Sequence, residues 1–423
     1  MCKVLRVVAL FAVVSVAADA FARTASFAEF DVRAKAGERL NVVYFGASLM
    51  YSANASDPPT TGFRGLMSEY LEKRYPRAHF RFHDAAIGGT PSKLGLLRLK
   101  RDVLDRNPDL VFLDFVCNDG GDNVNPDNTC AYEQILRTLI GAGVAVEQVF
   151  FTFRWWMDGD DYDRNVPRQR LYRNLAESYQ TPYSDTQCLI RAKLRNGETT
   201  LERIWPIDGG HPTDYGYSLF FEAAKDAFEK AVEMKTVCRV CGDPVYGSVE
   251  DVRRLHLATL YENLPAGWTV DKTFRTSMWF DGLSSRWLGD TVVRIAGGAP
   301  AVTAVFRGNW FAFFGEADGK TALPLEITVD RGEPGEMKFD HGCDGRLVVF
   351  RDRFIGDWMT GTAGEHSLVF RPSSVGECPE GEVRVESLMS ATFRPTSRTR
   401  ELLRRFGQRE FDLDAIDHVR GIK

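Results

Sequence analysis

Residues 40–49 read Leu-Asn-Val-Val-Tyr-Phe-Gly-Ala-Ser-Leu. The run from Leu40 to Phe45 is rich in branched and aromatic residues, as in a strand buried on both faces of a parallel sheet, and Gly46 marks where strand gives way to loop. Outward from it the pattern repeats. A helical stripe of Leu66, Met67, Tyr70 and Leu71 lies within 64–74 and is closed by Pro76. FRFHDAAI (80–87) reads as a second strand, 94–106 as a helix ended by Asn107-Pro108, and LVFLDFV (110–116) as a third strand. A helix over 132–140, the strand VFFTF (149–153), a helix over 168–179, a short strand at Tyr183 and a long helix over 214–237 complete the series. Strands alternating with helices predict a parallel sheet covered on both faces, with ligands held at the carboxyl ends of its strands.

The chain of 423 residues is 44% apolar and 26% charged, enough for a large core and for two domains at about 150 residues each. Lys plus Arg number 53 against 58 Asp plus Glu, a net charge of −5, and no basic block stands out, which disfavours nucleic-acid binding. Lys3 and Arg6 precede the apolar run Val7–Ala17 and the small-residue site Ala18-Asp19-Ala20, the layout of a secretory signal over residues 1–22. That run is too short to span a bilayer, which takes about 20 residues. The expectation is a soluble exported protein, periplasmic or extracellular, with no stable membrane insertion after cleavage. Cys2 leaves with the signal, and the remaining cysteines are too sparse to scaffold the fold. Cys238 and Cys241 form a C-x-x-C that could be half a zinc knuckle, a redox pair or a local disulfide. Cys343 and Cys378 are distant single candidates to complete it, and no metal or cofactor is expected.

The strand ends carry an unusual set of residues. Gly46-Ala47-Ser48 follows the first strand, Gly88-Gly89-Thr90 the second and Asn118-Asp119 the third, while Asp208-Gly209-Gly210-His211-Pro212 precedes the last helix. Each alone has an ordinary reading as turn chemistry, or as a cap in the case of Asp214. As an ordered set they supply the parts acyl transfer needs: a hydroxyl, a base for its proton, a carboxylate to orient that base, and donors for the developing oxyanion. Asp208 and His211 are three apart, so on one helical turn the carboxylate reaches the imidazole.

At these residues the sequence resembles the SGNH, or GDSL-type, hydrolase family, whose four blocks appear in order from Leu40 to about Gly216. The resemblance implies an α/β fold, a three-layer α/β/α sandwich around a parallel sheet. It also implies roles: Ser48 as nucleophile, His211 as general base and then acid, and Asp208 as the group that orients the imidazole. The oxyanion hole is then the Ser48 N–H, the Gly89 N–H and the Asn118 side-chain amide. Two departures stand out. The family's Gly-Asp-Ser is here Gly46-Ala47-Ser48, and its Gly-x-Asn-Asp is Val116-Cys117-Asn118-Asp119; neither removes a catalytic part. Met50 stands where a GxSxG motif needs its second glycine, which argues against a nucleophile elbow of the α/β-hydrolase kind.

Other nearby residues read less sharply. Asp114 inside an apolar strand calls for a buried partner such as Arg64. Trp155 and Trp156 follow the fourth strand and are candidates to line a substrate cleft, with core packing the equal alternative. Cys117 has nothing resembling a base near it in sequence and reads as apolar packing.

Beyond about residue 265 the helical stripes give way to short apolar runs punctuated by glycine: 291–295, 302–306, 310–314, 325–329, 346–350, 367–371 and 383–388. These predict an all-β sandwich. Their order looks like jelly-roll modules attached to some carbohydrate-active esterases. Trp268, Trp279, Trp287 and Trp358 could form a sugar platform, although core or interdomain contact is the commoner role, and His366 reads as structural. The expected organisation is a signal at 1–22, an SGNH-like hydrolase domain at 23–237, a connector at 238–264, a β-sandwich at 265–398 and a helical tail at 399–423. The expected function is an exported serine esterase that removes acetyl or other small acyl groups from carbohydrate. A lipid or lysophospholipid esterase and an inactive glycan-binding relative are the alternatives.

Overall fold

The computed structural model describes residues 23–119, 126–157, 167–240, 242–260, 264–274, 287–339, 346–373 and 381–406. The expected signal, Cys241, Trp279, Cys343, Cys378 and the tail beyond 406 lie outside these residues.

Five parallel strands, β1 (Arg39–Gly46), β2 (His79–Ala86), β3 (Leu110–Asp114), β4 (Ala145–Phe150) and β5 (Tyr183–Asp185), pair in the order β2-β1-β3-β4-β5. The order reverses direction between β1 and β3, and in a doubly wound sheet that switch point opens a crevice at the strand ends. The helices Phe27–Ala36, Phe63–Arg74 and Asp214–Glu233 pack together on one side, and the helices Ser92–Asp102 and Pro126–Gly141 pack against each other. Aromatic side chains fill the interior: Tyr44 stacks on Phe112 at 5.4 Å between centroids, and Phe63 meets Phe151 edge-on at 5.1 Å.

The structure corrects the sequence reading in several places. The fourth strand is Ala145–Phe150, earlier than the VFFTF run, because its two polar residues are buried. Gln148 accepts from the Tyr132 hydroxyl at 2.9 Å and donates to Thr181, while burial pushes the Glu147 carboxyl well above its usual range. The third strand stops at Asp114, whose Oδ1 accepts from the Val116 N–H at 3.0 Å and starts a turn. Arg64 is not the partner of Asp114; it pairs with Asp84, and burial, reinforced by the nearby Asp119 carboxylate, drives the Asp114 carboxyl strongly toward its neutral form.

The stretch expected to be a connector already carries β6 (Gly247–His256) and a short helix, Leu257–Leu260. Its apolar residues are few, because much of β6 faces out, so it did not read as a strand. One antiparallel sheet runs β13 (Arg346–Phe354), β10 (Trp310–Asp318), β15 (Glu382–Pro395), β8 (Thr291–Ala296) and β7 (Trp268–Lys272), with β6 also on β15. The facing sheet runs β12 (Gly335–Met337), β11 (Leu325–Val329), β14 (Gly364–Pro372) and β9 (Val302–Gly308). Along β10 the two-residue alternation sorts side chains: Phe311 and Phe313 enter the sandwich core, while Trp310, Ala312 and Phe314 join the core of the α/β domain. β15 divides the same way, with Leu388 inside the sandwich and Met389, Ala391 and Phe393 turned to the α/β side. The sheet is therefore covered on both faces, which explains the unbroken Trp310–Phe314 run. Trp268, Trp287 and Trp358 are buried and form no exposed platform. Among the described residues no helix is long and apolar enough to cross a membrane.

Candidate active site

β1 ends at Gly46 because nothing larger fits: a Cβ there would lie 2.4 Å from the Asp114 carbonyl oxygen and 2.8 Å from the Met50 Cβ. The chain then turns through Ala47, in extended geometry and fully buried, into the short helix Ser48–Tyr51. Ser48 is thus held at the switch point. Its Oγ lies 2.9 Å from the His211 Nε2. The Arg98 guanidinium, buried against the Phe45 ring, donates to the carbonyls of Gly46 and Ala85 and so braces the ends of β1 and β2 together.

Asp208 and His211 sit on a turn rather than on a helix. The Asp208 Oδ1 accepts from the backbone N–H groups of Gly210 and His211, both at 2.7 Å, and its Oδ2 lies 3.5 Å from the His211 Nδ1. Burial works to raise the Asp208 pKa, but the His211 N–H, the Asn54 amide and the Gly210 N–H together hold it below the usual carboxylate value. Burial lowers the His211 pKa below the ordinary imidazole value, against the opposing pull of Asp208. A neutral imidazole beside a hydroxyl, with an ionised carboxylate behind it, is equipped to take the hydroxyl proton.

The two loops expected to supply oxyanion donors are stapled to each other. Gly89 adopts a left-handed φ of 70°, and Thr90 donates to the Ile87 carbonyl at 2.7 Å. Asn118 closes a turn through its N–H to the Phe115 carbonyl at 2.9 Å. Between them, buried Asp119 accepts from the Ser92 N–H at 2.6 Å and from the hydroxyls of Ser92 and Tyr172, both at 2.5 Å. Gly89 and Asn118 line a cleft of about 440 Å³ whose far wall, including Phe314, Phe350 and Asp352, comes from the β-sandwich. A larger surface hollow of about 830 Å³, lined by Glu177, Asp243 and Arg394 among others, contains none of these groups.

The aromatic pair divides. Trp155 is 47% exposed and lies against the His211 turn, where a Cβ on Gly209 would come within 2.8 Å of its ring. Trp156 is 4% exposed, and its carbonyl accepts from Gln187 and Arg191, so it is a core residue and not a cleft lining. Cys117 is buried, as its apolar reading implied. Sequence reasoning missed Asn54, Arg98 and the β-sandwich wall of the cleft. Only tertiary structure brings them to the site.

Comparison with known proteins places a family match on the same part of the chain. Residues 44–219 match the model of the GDSL-like Lipase/Acylhydrolase family. These residues form a GDSL-like acylhydrolase domain. The chain is a serine carboxylic ester hydrolase with an added β-sandwich. Among solved structures, a two-domain esterase (CEX) active on acetylated mannans, co-crystallized with mannopentaose, is 20% identical, with a TM-score of 0.70 over 86% of this chain and 94% of that one. A second structure of a two-domain esterase (CEX) active on acetylated mannans gives a TM-score of 0.68 at 19% identity over the same shares. The acetyl xylan esterase AlAXEase is 24% identical over 46% of this chain and all of its own, with a TM-score of 0.38. No curated protein matches. The two-domain likeness shows that the GDSL-like domain and the β-sandwich recur together as one architecture.

Proposed function

We propose that this protein is an exported esterase that removes small acyl groups, acetyl above all, from carbohydrate. Ser48 attacks the ester carbonyl as His211 takes its proton through Nε2, and the Ser48 N–H, Gly89 N–H and Asn118 amide receive the oxyanion. His211 then returns the proton to the departing sugar oxygen, leaving Ser48 acylated. Water, activated by the same imidazole, releases the acid and restores Ser48. Asp208 keeps Nδ1 protonated and stabilises the imidazolium.

The observation that carries this reading is the Ser48–His211 contact of 2.9 Å; the two loops expected to supply oxyanion donors line a cleft that runs from Gly89 and Asn118 to the second domain. A cleft walled by two domains suits a chain substrate, and Asn118, Asn128 and Arg351 in its lining suit hydroxylated rings better than an acyl tail. The mannan-active neighbour shares this two-domain fold, which supports the same substrate class. Export rests on the leader pattern from Lys3 to Ala20. Acetylated mannan and xylan oligosaccharides, assayed beside long-chain lipid esters, test the proposal. The acetylated glycans should be the better substrates, and Ser48→Ala should cost about 10³-fold or more in turnover. Preference for long acyl chains, or a Ser48→Ala variant as active as the parent, would refute it.

A further inference from the structure

Asn54 belongs to the segment that follows the nucleophile, yet its side chain works on the other end of the triad. Its backbone is left-handed, with φ 68°, and its Nδ2 donates to the Asp208 Oδ2 at 2.8 Å and to the His211 carbonyl at 3.2 Å. Oδ2 is the oxygen that faces the His211 Nδ1. Oδ1 is held by backbone N–H groups of the Asp208 turn itself, so Asn54 adds a restraint from outside the turn.

The segment bearing Asn54 is itself anchored. The Ser56 N–H and hydroxyl donate to the Asp214 carboxylate at 2.7 and 2.6 Å, Thr61 donates to it at 2.8 Å, and the Tyr217 hydroxyl donates to the Ala53 carbonyl at 2.7 Å. Asp214 and Tyr217 belong to the helix that starts just after His211. Asn54 is thus fixed to the start of the helix that follows the turn carrying the base.

We infer that Asn54 is a positioning residue of the triad, holding the Asp208 carboxylate against His211 and limiting how strongly that carboxylate attracts the imidazole proton. The inference rests on the triad reading above. An amide N–H on Oδ2 spreads the carboxylate charge away from Nδ1, so the imidazole is oriented without being made strongly basic. Among the described residues, the other ionisable groups named around the pair are already engaged. Asp214 is saturated by Ser56 and Thr61, Arg154 pairs with Glu202 at 2.6 Å, and burial pushes the Tyr217 phenol well above its usual range. The amide of Asn54 is the adjustable group.

The test uses Asn54→Gly, which accepts the left-handed backbone but lacks the amide, and Asn54→Asp, which keeps the shape but replaces a donor by an acceptor. Each is assayed on 4-nitrophenyl acetate across pH beside Ser48→Ala, with thermal unfolding measured in parallel. For Asn54→Gly we expect kcat to fall on the order of 10- to 100-fold with little change in KM. The acid limb of kcat/KM should move to higher pH, and further still in Asn54→Asp. If the glycine variant does not fold, the same fall and upward shift in Asn54→Asp support the inference. Parent-like kcat and an unmoved acid limb in the folded variants would overturn it, as would a loss of activity explained by lower stability with the limb unmoved. An active Ser48→Ala would instead overturn the triad reading on which the inference stands.

Discussion

His211 needs to be neutral to take the Ser48 proton, and its burial favours the neutral form. Because the folded-state pKa lies below the ordinary imidazole value of about 6.5, kcat/KM should hold its plateau to lower pH than an unperturbed histidine allows. A pH profile whose acid limb falls above that value would contradict the assigned base. Gly46 poses a steric test at the same scale. Gly46→Ala forces a methyl into the space of the Asp114 carbonyl and Met50, and should cost about 1–3 kcal/mol in urea unfolding together with activity, since Ser48 rides on that turn. Ser48, Gly89 and Asn118 stood out as candidates in the sequence because each follows a strand in a short run, and Asp208 and His211 because they share one turn before the last long helix. Asn54 was not, since an asparagine in a polar loop reads as turn chemistry until the fold sets it against Asp208.

At the scale of elements, the loops after β2 and β3 owe their relative placement to Asp119. Asp119→Asn leaves fewer acceptor sites for the buried Ser92 and Tyr172 donors, and a loss of about 1–3 kcal/mol in stability is expected. A lower kcat should accompany it, because Gly89 and Asn118 lose their common anchor. Unchanged stability and turnover would show that the staple is dispensable. Element reading from sequence worked where apolar runs are uninterrupted, as in β1 and β3, and slipped where burial takes polar groups. Glu147 and Gln148 hid the start of β4: Gln148 is buried with hydrogen bonds to Tyr132 and Thr181, and Glu147 with a carboxyl shifted toward its neutral form, neither visible in a hydropathy pattern. β6 was hidden for the opposite reason: much of it is exposed, and its place is set by pairing with β15 from the far end of the chain.

Across the whole molecule, the two domains share more than a linker. Lys93, on the helix that follows the Gly89 loop, is buried between Asp127 at 2.7 Å and Asp352 of β13 at 2.6 Å, and Asp352 also accepts from the Trp310 indole. Burial works to lower the Lys93 pKa, but the two carboxylates outweigh it and keep the ammonium charged. Glu133 makes a second junction, accepting from the N–H groups of Val245, Tyr246 and Gly247 where the chain enters β6. Lys93→Met strands two carboxylates at the interface and should cost about 3–5 kcal/mol, measured by denaturant unfolding. A variant as stable as the parent would mean that the pair contributes nothing to docking. The β-sandwich itself was legible from its short apolar runs punctuated by glycine, but its position as one wall of the cleft was not, since no local pattern says which face of β10 meets the α/β domain.

The most direct test of the central claim is covalent. A fluorophosphonate probe, followed by peptide mass spectrometry, should modify the parent protein at Ser48 and leave Ser48→Ala unlabelled. Label on another residue, or no label on a folded parent protein, would contradict the assignment of Ser48 as the hydroxyl that His211 activates.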